Sequence, residues 1–163
     1  VETAPFRELK SIIEIGEIKT LLPGDLRDGI EINGVRVNIL HPDPDGQPLI
    51  LEKDGKWLNN NSLVLKIAYR GKTFLFPGDL EKPGEEVLVS NAGDMVKSDI
   101  LLSPHHGSKT SSSNEFLEMV QPGICIILQG KGAQAISLIK QCLTDCASWG
   151  AGLSGYPDQG PWK

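Results

Sequence analysis

The chain has 163 residues, which fits a single domain. Apolar residues make up 39% and charged residues 23%, which supports a core and excludes wholesale disorder. The net charge of −5 argues against a protein that grips nucleic acid through a basic surface, but not against a nuclease whose metal ions bring their own positive charge.

In chain order, residues 4–15 predict an amphipathic helix with Phe6, Leu9, Ile12 and Ile13 on one face and Gly16 as its stop. Strands are expected at 18–22 and at 35–40, the second alternating Val, Arg, Val, Asn, Ile before His41-Pro42. Residues 43–61 are rich in Asp, Pro, Gly and Asn and predict a loop. Two strong strands follow, SLVLKIAY at 62–69 and KTFLFP at 72–77, joined by the hairpin signal Arg70-Gly71. Gly78-Asp79 breaks the pattern ahead of a helix over 80–90 with an acidic start. The run DILLS at 99–103 predicts a buried strand ended by Pro104, and His105-His106-Gly107-Ser108 comes next. A helix near 113–120 has Ser112, Ser113 or Asn114 as candidate cap, and 124–128 predicts another buried strand. Alternating elements with one antiparallel hairpin imply an α/β fold: a mixed sheet with flanking helices.

No run of about eighteen apolar residues occurs, so no membrane span is expected. The opening VETAPFRELK has neither a basic start nor an apolar stretch, so no secretion signal is expected there, and a start at Val1 predicts a fragment of a longer chain. The three cysteines, Cys125, Cys142 and Cys146, give no disulfide framework. Cys142 and Cys146 have helical i, i+4 spacing, but two ligands alone do not make a metal site, and packed or exposed thiols are the plainer reading.

Chemistry concentrates where two strands stop. Asp79 follows FLFPG, and His105-His106 follow DILLSP. Groups at the same ends of neighbouring strands converge on one rim of a sheet, and a carboxylate with an imidazole suits a divalent metal. Taken alone, Asp79 reads more simply as a helix cap. The histidine pair reads as one exposed and one hydrogen-bonded ring. His41 reads as a structural turn residue rather than a ligand. Asn59-Asn60-Asn61 reads as a lead-in to the hairpin, with orientation of a metal ligand as the lesser alternative.

The strings NNNSLVLKIAYRGKTFLFPGDLEKPGEEVLV and SDILLSPHHGSKTSSSNEFLEMVQPGICII resemble the second half of the metallo-β-lactamase domain in the bacterial competence DNA-uptake family, the ComEC type. The resemblance covers roughly residues 33–130. It rests on the order of the Asn-rich lead-in, the S-L-V-L strand, the G-D, the strand opening with Asp, the P-H-H-G-S and the serine-rich link. It implies the C-terminal part of an αββα sandwich over residues 1–132. It also implies hydrolysis at a two-metal centre of zinc or manganese, with Asp79 as the bridging carboxylate and His105 or His106 as the late histidine ligand. DNA would be the substrate of the parent protein, a bacterial inner-membrane protein carrying the domain on its extracytoplasmic side. The family's H-x-D-x-D-H cluster is absent from this chain, so the chain is expected to need the missing upstream half and to be inactive alone. Two other readings remain: an ester or lactone hydrolase of the same superfamily, and a non-catalytic or degenerate truncated domain. Lys66, Lys72 and Lys109 either track a DNA backbone or solvate the surface, and the second is the plainer reading.

From about residue 133 the resemblance vanishes, and the tail reads AQAISLIKQCLTDCASWGAGLSGYPDQGPWK. Residues 133–163 are expected to be a frameshifted reading of the family's usual C-terminus, the alternative being a divergent but genuine tail. When the third base of each codon is joined to the first two of the next, Asp145-Cys146 must give Leu, Trp149-Gly150 must give Gly and Trp162-Lys163 must give Glu. The remaining junctions permit a Pro-His, an amphipathic helix and a closing Gly. Sequencing the coding DNA checks this: the shifted frame should stay open through the stretch, and a stop codon inside it rules the frameshift out.

Overall fold

The structure is a computed structural model that describes residues 3–26, 28–43 and 58–128. The tail at 133–163, with Cys142 and Cys146, lies outside the described residues. Six strands form one mixed sheet in sequence order: β1 (Ile30–Ile32), β2 (Val35–His41), β3 (Val64–Tyr69), β4 (Lys72–Phe76), β5 (Ile100–Leu102) and β6 (Ile124–Ile126). Strands β1 to β4 run antiparallel, and β4, β5 and β6 are parallel. The helices are α1 (Ala4–Ile15), α2 (Lys82–Ala92) and α3 (Asn114–Val120). Helices α2 and α3 are the crossovers that parallel neighbours require.

Local chemistry accounts for most boundaries. Arg70 and Gly71 both have positive φ, 48° and 75°, the turn that matches the twist of a two-residue hairpin. Asn33-Gly34 repeats the device with φ of 51° and 79° and creates β1, a strand that the sequence reading passed over. Helix α3 starts at Ser113, whose hydroxyl accepts from Phe116 N.

Two expectations need correction. Residues 18–22 are not a strand: Ile18 and Leu22 are exposed, and Leu22 N turns to donate to Asp25 Oδ2. No described strand pairs with this stretch, and apolar composition alone does not make a ladder. Strand β6 exists but is not buried, since Ile124 and Ile126 are 57% and 44% exposed at the edge of the described sheet.

The core lies between the sheet and helices α2 and α3. Val64, Leu75, Leu80, Leu88, Val96, Leu101, Phe116 and Val120 are fully buried there. The opposite sheet face is apolar across its whole width. Ile30, Val37, Ile67, Phe74, Ile100 and Ile124 are successive cross-strand partners through all six strands, and Ile39, Leu65 and Phe76 form a second row. Most of these residues are only partly buried. Helix α1 likewise buries none of its side chains, and Phe6, Leu9 and Ile12 of its predicted apolar face stand exposed.

Asp99 fastens the start of β5 to β4. Its carboxylate accepts from Thr73 Oγ1 and Thr73 N, both at 2.8 Å, and from Lys72 Nζ at 3.1 Å. The Thr73 hydroxyl, then its N–H and then Lys72 hold the Asp99 carboxyl down at about 2, against an ordinary 3.8. A carboxyl depressed on folding contributes stability above its unfolded value and loses it as pH falls towards its folded value. Asp99→Asn should therefore be less stable than wild type at neutral pH, and should lose less stability than wild type between about pH 4 and about pH 2. Urea denaturation across that range checks both.

Candidate functional site

Asp79 and His106 meet at the C-terminal rim of the sheet, beyond the ends of the parallel neighbours β4 and β5. Asp79 Oδ1 and His106 Nε2 are 3.6 Å apart, and both side chains are substantially exposed. His106 Nδ1 lies 3.1 Å from the carbonyl oxygen of Leu128. A carbonyl only accepts, so Nδ1 carries a proton; in the neutral ring Nε2 then presents a lone pair towards Asp79. Two electron-rich atoms facing one another at this distance call for a cation between them, either a proton or a metal ion.

His105 is placed differently. Its ring is partly buried, and Nδ1 lies 3.3 Å from Glu81 Oε1 without the alignment of a hydrogen bond. Glu81 Oε1 accepts instead from Thr110 Oγ1 at 3.0 Å. Thus the two histidines separate, with His106 facing Asp79 and His105 facing Glu81.

The backbone makes this divergence. His105, His106 and Gly107 have φ of 48°, 53° and 78°, a run of left-handed residues of which only the last is glycine. Non-glycine residues in that region cost about 1–3 kcal/mol each and persist where the surroundings enforce them, commonly at functional sites. Here the enforcement is visible: His105 N donates to Gly78 O at 2.9 Å, and Ser108 N to His105 O at 2.9 Å. The first of these bonds ties the histidine turn directly to the Gly78-Asp79 turn.

The Gly78-Asp79 turn is held from behind. Gly78 has φ of 61°, and a Cβ there would sit 3.0 Å from Ser62 Cβ. Ser62 Oγ accepts from Asp79 N at 3.1 Å. Asp79 is not the cap of α2; that helix begins at Lys82, and Glu81, its cap residue, makes no side-chain cap bond. The capping acceptor is Asn60 Oδ1, which takes Glu81 N at 3.2 Å and Gly84 N at 3.0 Å. Asn60 is 2% exposed, and its own carbonyl accepts from His41 Nε2 at 2.8 Å. His41 is therefore structural, as its turn position implied, and burial pushes its pKa below the usual value against the raising effect of that bond. The lead-in reading of Asn59-Asn60-Asn61 undervalued Asn60: a run of Asn before a strand shows turn chemistry, but not a helix start more than twenty residues away.

Lys66 and Lys72 are tied to the protein. Lys66 Nζ donates to Met95 O at 2.8 Å, and burial lowers its pKa against the pull of Asp99. Lys72 bridges to Asp99. Behind the histidine loop lies a cavity of about 340 Å³ lined by Lys82, Ser108, Lys109, Ser112 and Glu115 among others. Neither Asp79 nor His106 lines it, so the paired donors, and not the cavity, define the candidate site.

The donor pair fits part of a metal shell. Two ligands at about 2.1 Å from a tetrahedral ion stand roughly 3.4 Å apart, close to the 3.6 Å separation here. No cluster of three or more His, Cys, Asp or Glu side chains suited to a metal occurs among the described residues. The described residues therefore offer two vertices of a site and not a whole shell.

Comparison with known proteins adds an independent line. A family model described as the metallo-beta-lactamase superfamily matches residues 11–130. The chain is 36% identical over 104 residues to ComE operon protein 3 of Bacillus subtilis, which covers 64% of this chain and 12% of that protein. It is 33% identical over 116 residues to Competence protein ComA of Neisseria gonorrhoeae, covering 62% of this chain and 17% of that protein. Recombination protein 2 of Haemophilus influenzae is 36% identical over 73 residues, covering 45% of this chain and 9% of that protein. The chain thus spans less than a fifth of each of these relatives.

Replacing Asn60 tests the support beneath the site. Asn60→Ala strands the buried N–H of Gly84 and the N–H of Glu81, and should cost about 1–3 kcal/mol in urea denaturation. Gly84→Ala should also destabilise, because a Cβ there would lie 2.5 Å from Leu80 Cδ1 and 2.8 Å from Asn60 Oδ1.

Proposed function

The chain belongs to the metallo-beta-lactamase superfamily, and from that premise we propose that it supplies Asp79 and His106 to the metal centre of a hydrolase that cleaves DNA during competence uptake. The observation that carries this reading is the facing pair of Asp79 Oδ1 and His106 Nε2, 3.6 Å apart beyond two parallel strands. The relatives named as competence proteins supply the biological setting. His106, rather than His105, is the metal ligand in this proposal, because its Nε2 faces the Asp79 carboxylate while its other nitrogen is held by Leu128 O.

Asp79 and His106 would hold a divalent ion, zinc or manganese, which would supply Lewis-acid activation of water for phosphodiester hydrolysis. The chain's own residues orient that centre. Leu128 O fixes the tautomer and ring plane of His106, Ser62 sets the Asp79 backbone, and the Gly78–His105 bond holds the two turns in register. The net charge of −5 and the engagement of Lys66 by Met95 O and of Lys72 by Asp99 support a DNA contact that does not rest on those two lysines.

The apolar sheet face supports a second part of the proposal: its occupant is another β-sheet, the upstream half of the same domain, which also brings the H-x-D-x-D-H ligands. Rows of Ile, Val, Leu and Phe across six strands suit sheet-on-sheet packing, and a patch of this kind on a sheet marks an interaction surface. No helix among the described residues is long and apolar enough to cross a membrane. Attachment to a bacterial inner-membrane protein, on its outer side, is part of the same proposal and rests on the resemblance to the competence DNA-uptake family.

A second reading has its own observation. The absence of a three-donor cluster among the described residues favours a chain that is non-catalytic when taken alone. Calorimetric titration and a DNA-cleavage assay separate the two. The chain alone should bind Zn²⁺ or Mn²⁺ weakly and cleave little, with binding lost in Asp79→Ala and in His106→Ala. Covalent addition of the upstream half should raise affinity by about 10-fold or more, since a site short of ligands loses most of its binding. Strong metal-dependent cleavage by the chain alone, abolished by Asp79→Ala, would refute its incompleteness. Binding indifferent to both substitutions would refute the site.

A further inference from the structure

We propose that Glu85 is a positioning residue for the histidine turn, its carboxylate holding the backbone of Ser112 and Ser113 and so fixing where His105 and His106 stand relative to Asp79. The functional meaning of this rests on the metal-site reading above; its structural content does not.

Glu85 lies in the first turn of α2 and is 0% exposed. An ionised carboxylate in that setting is costly unless hydrogen bonds compensate it, and an apolar residue would fill the same space without the cost. What the carboxylate gains is a matched pair of donors. Ser112 N donates to Oε1 and Ser113 N, at 2.8 Å, to Oε2. Ser112 is itself left-handed, with φ of 57°, so its N–H is aimed by a conformation that needs outside support.

This contact is the buried, charged member of a longer seam. Lys82 N donates to Thr110 O at 2.9 Å, Thr110 Oγ1 to Glu81 Oε1 at 3.0 Å, and Ser111 Oγ to Leu80 O at 2.8 Å. Residues 80–85 are thereby joined to 110–113. One end of the seam adjoins Asp79, and the other leads four residues back to His106. The charged and polar groups around Glu85 are Lys82 on its own helix and Ser112 and Ser113 on the facing loop. Burial raises its pKa, and the two N–H bonds, the Ser113 side chain and Lys82 oppose that rise.

The geometry requires a carboxylate and not merely a polar group. Two N–H donors need two acceptors; glutamine supplies one and turns its NH₂ against the other donor. Glu85→Gln keeps size and shape while removing half of the bond pair, and Glu85→Ala removes all of it. The neighbouring Glu86 is exposed and serves as the control.

Amide hydrogen exchange of the full chain, without metal, reads the proposal directly. In Glu85→Gln, amides of residues 105–113 should exchange about 10- to 100-fold faster than in wild type. Glu85→Ala should be faster still, while β3 and β4 keep their protection and Glu86→Gln matches wild type. Unchanged exchange at 105–113 in Glu85→Gln would overturn the proposal. So would equal acceleration over β3, β4 and the loop, which would make Glu85 a general stabiliser. Zn²⁺ titration of the wild type, followed by the NMR signals of the His106 ring, is read separately. A silent ring refutes the metal reading while leaving the positioning role to the exchange data.

Discussion

Two N–H groups at the start of α2, one buried and one partly so, must find an acceptor, and the side chain of Asn60 provides it. Helices leave their first donors without partners, and local capping by Ser, Thr, Asp or Asn is the common remedy. Here the cap residue is Glu81, which caps nothing, and the acceptor arrives from the lead-in to β3. The Asn60 lead-in thus draws together four parts of the chain. His41 at the end of β2 bonds the main-chain carbonyl of Asn60, Ser62 two residues on holds Asp79, and α2 begins against the Asn60 side-chain oxygen. Gly84 is glycine because Asn60 and Leu80 approach too closely for a Cβ. The position of Asp79 follows from this arrangement, since the Gly78-Asp79 turn is what joins β4 to the anchored helix.

The candidate pair shows how few residues are needed once the sheet is built. Parallel neighbours end on the same rim, so any residue just past β4 and any residue just past β5 are near one another by topology. What the loops add is direction. A left-handed run at His105 and His106 turns successive rings to different neighbours, one towards Glu81 and the other towards Asp79. An extended continuation of β5 would also have alternated them, but along the strand axis and away from the rim. The strain of that turn is offset by the backbone bond from His105 to Gly78 and by the seam between α2 and the serine loop. In this sense the helix layer behind the sheet is part of the site.

Much of this was legible in the chain. Alternation in SLVLKIAY and KTFLFP, with Arg70-Gly71 between them, marks a hairpin through short-range physics, and both strands stand within two residues of the predicted bounds. Asp79 and the histidine pair stood out because each follows a strand end. What the sequence withheld is long-range. Adjacent histidines look alike until the backbone separates them, so the choice of His106 required the turn itself. Asn60 and Glu85 act on segments 21 to 28 residues away, and nothing local announces such partners. Strand β1 is three residues long, too short for a period to appear. The stretch at 18–22 had the composition of a strand and no partner, and the exposure of β6 depends on what lies beside and across from it, which its own residues do not encode.

The two faces of the sheet also differ in what they ask of heredity. Leu75 and Leu101 are wholly enclosed by the helix layer, so close packing fixes their volume as well as their polarity. Ile67, Phe74 and Ile100 lie on the other side, only partly covered by the described residues. If nothing ever pressed on that side, lineages would be free to exchange them for any side chain that keeps a strand extended, polar ones included. A lasting neighbour would instead leave an imprint of correlated size, a larger residue in one row answered by a smaller one opposite. The historical record of substitutions along the row from Ile30 to Ile124 is therefore a cast of whatever has occupied that side.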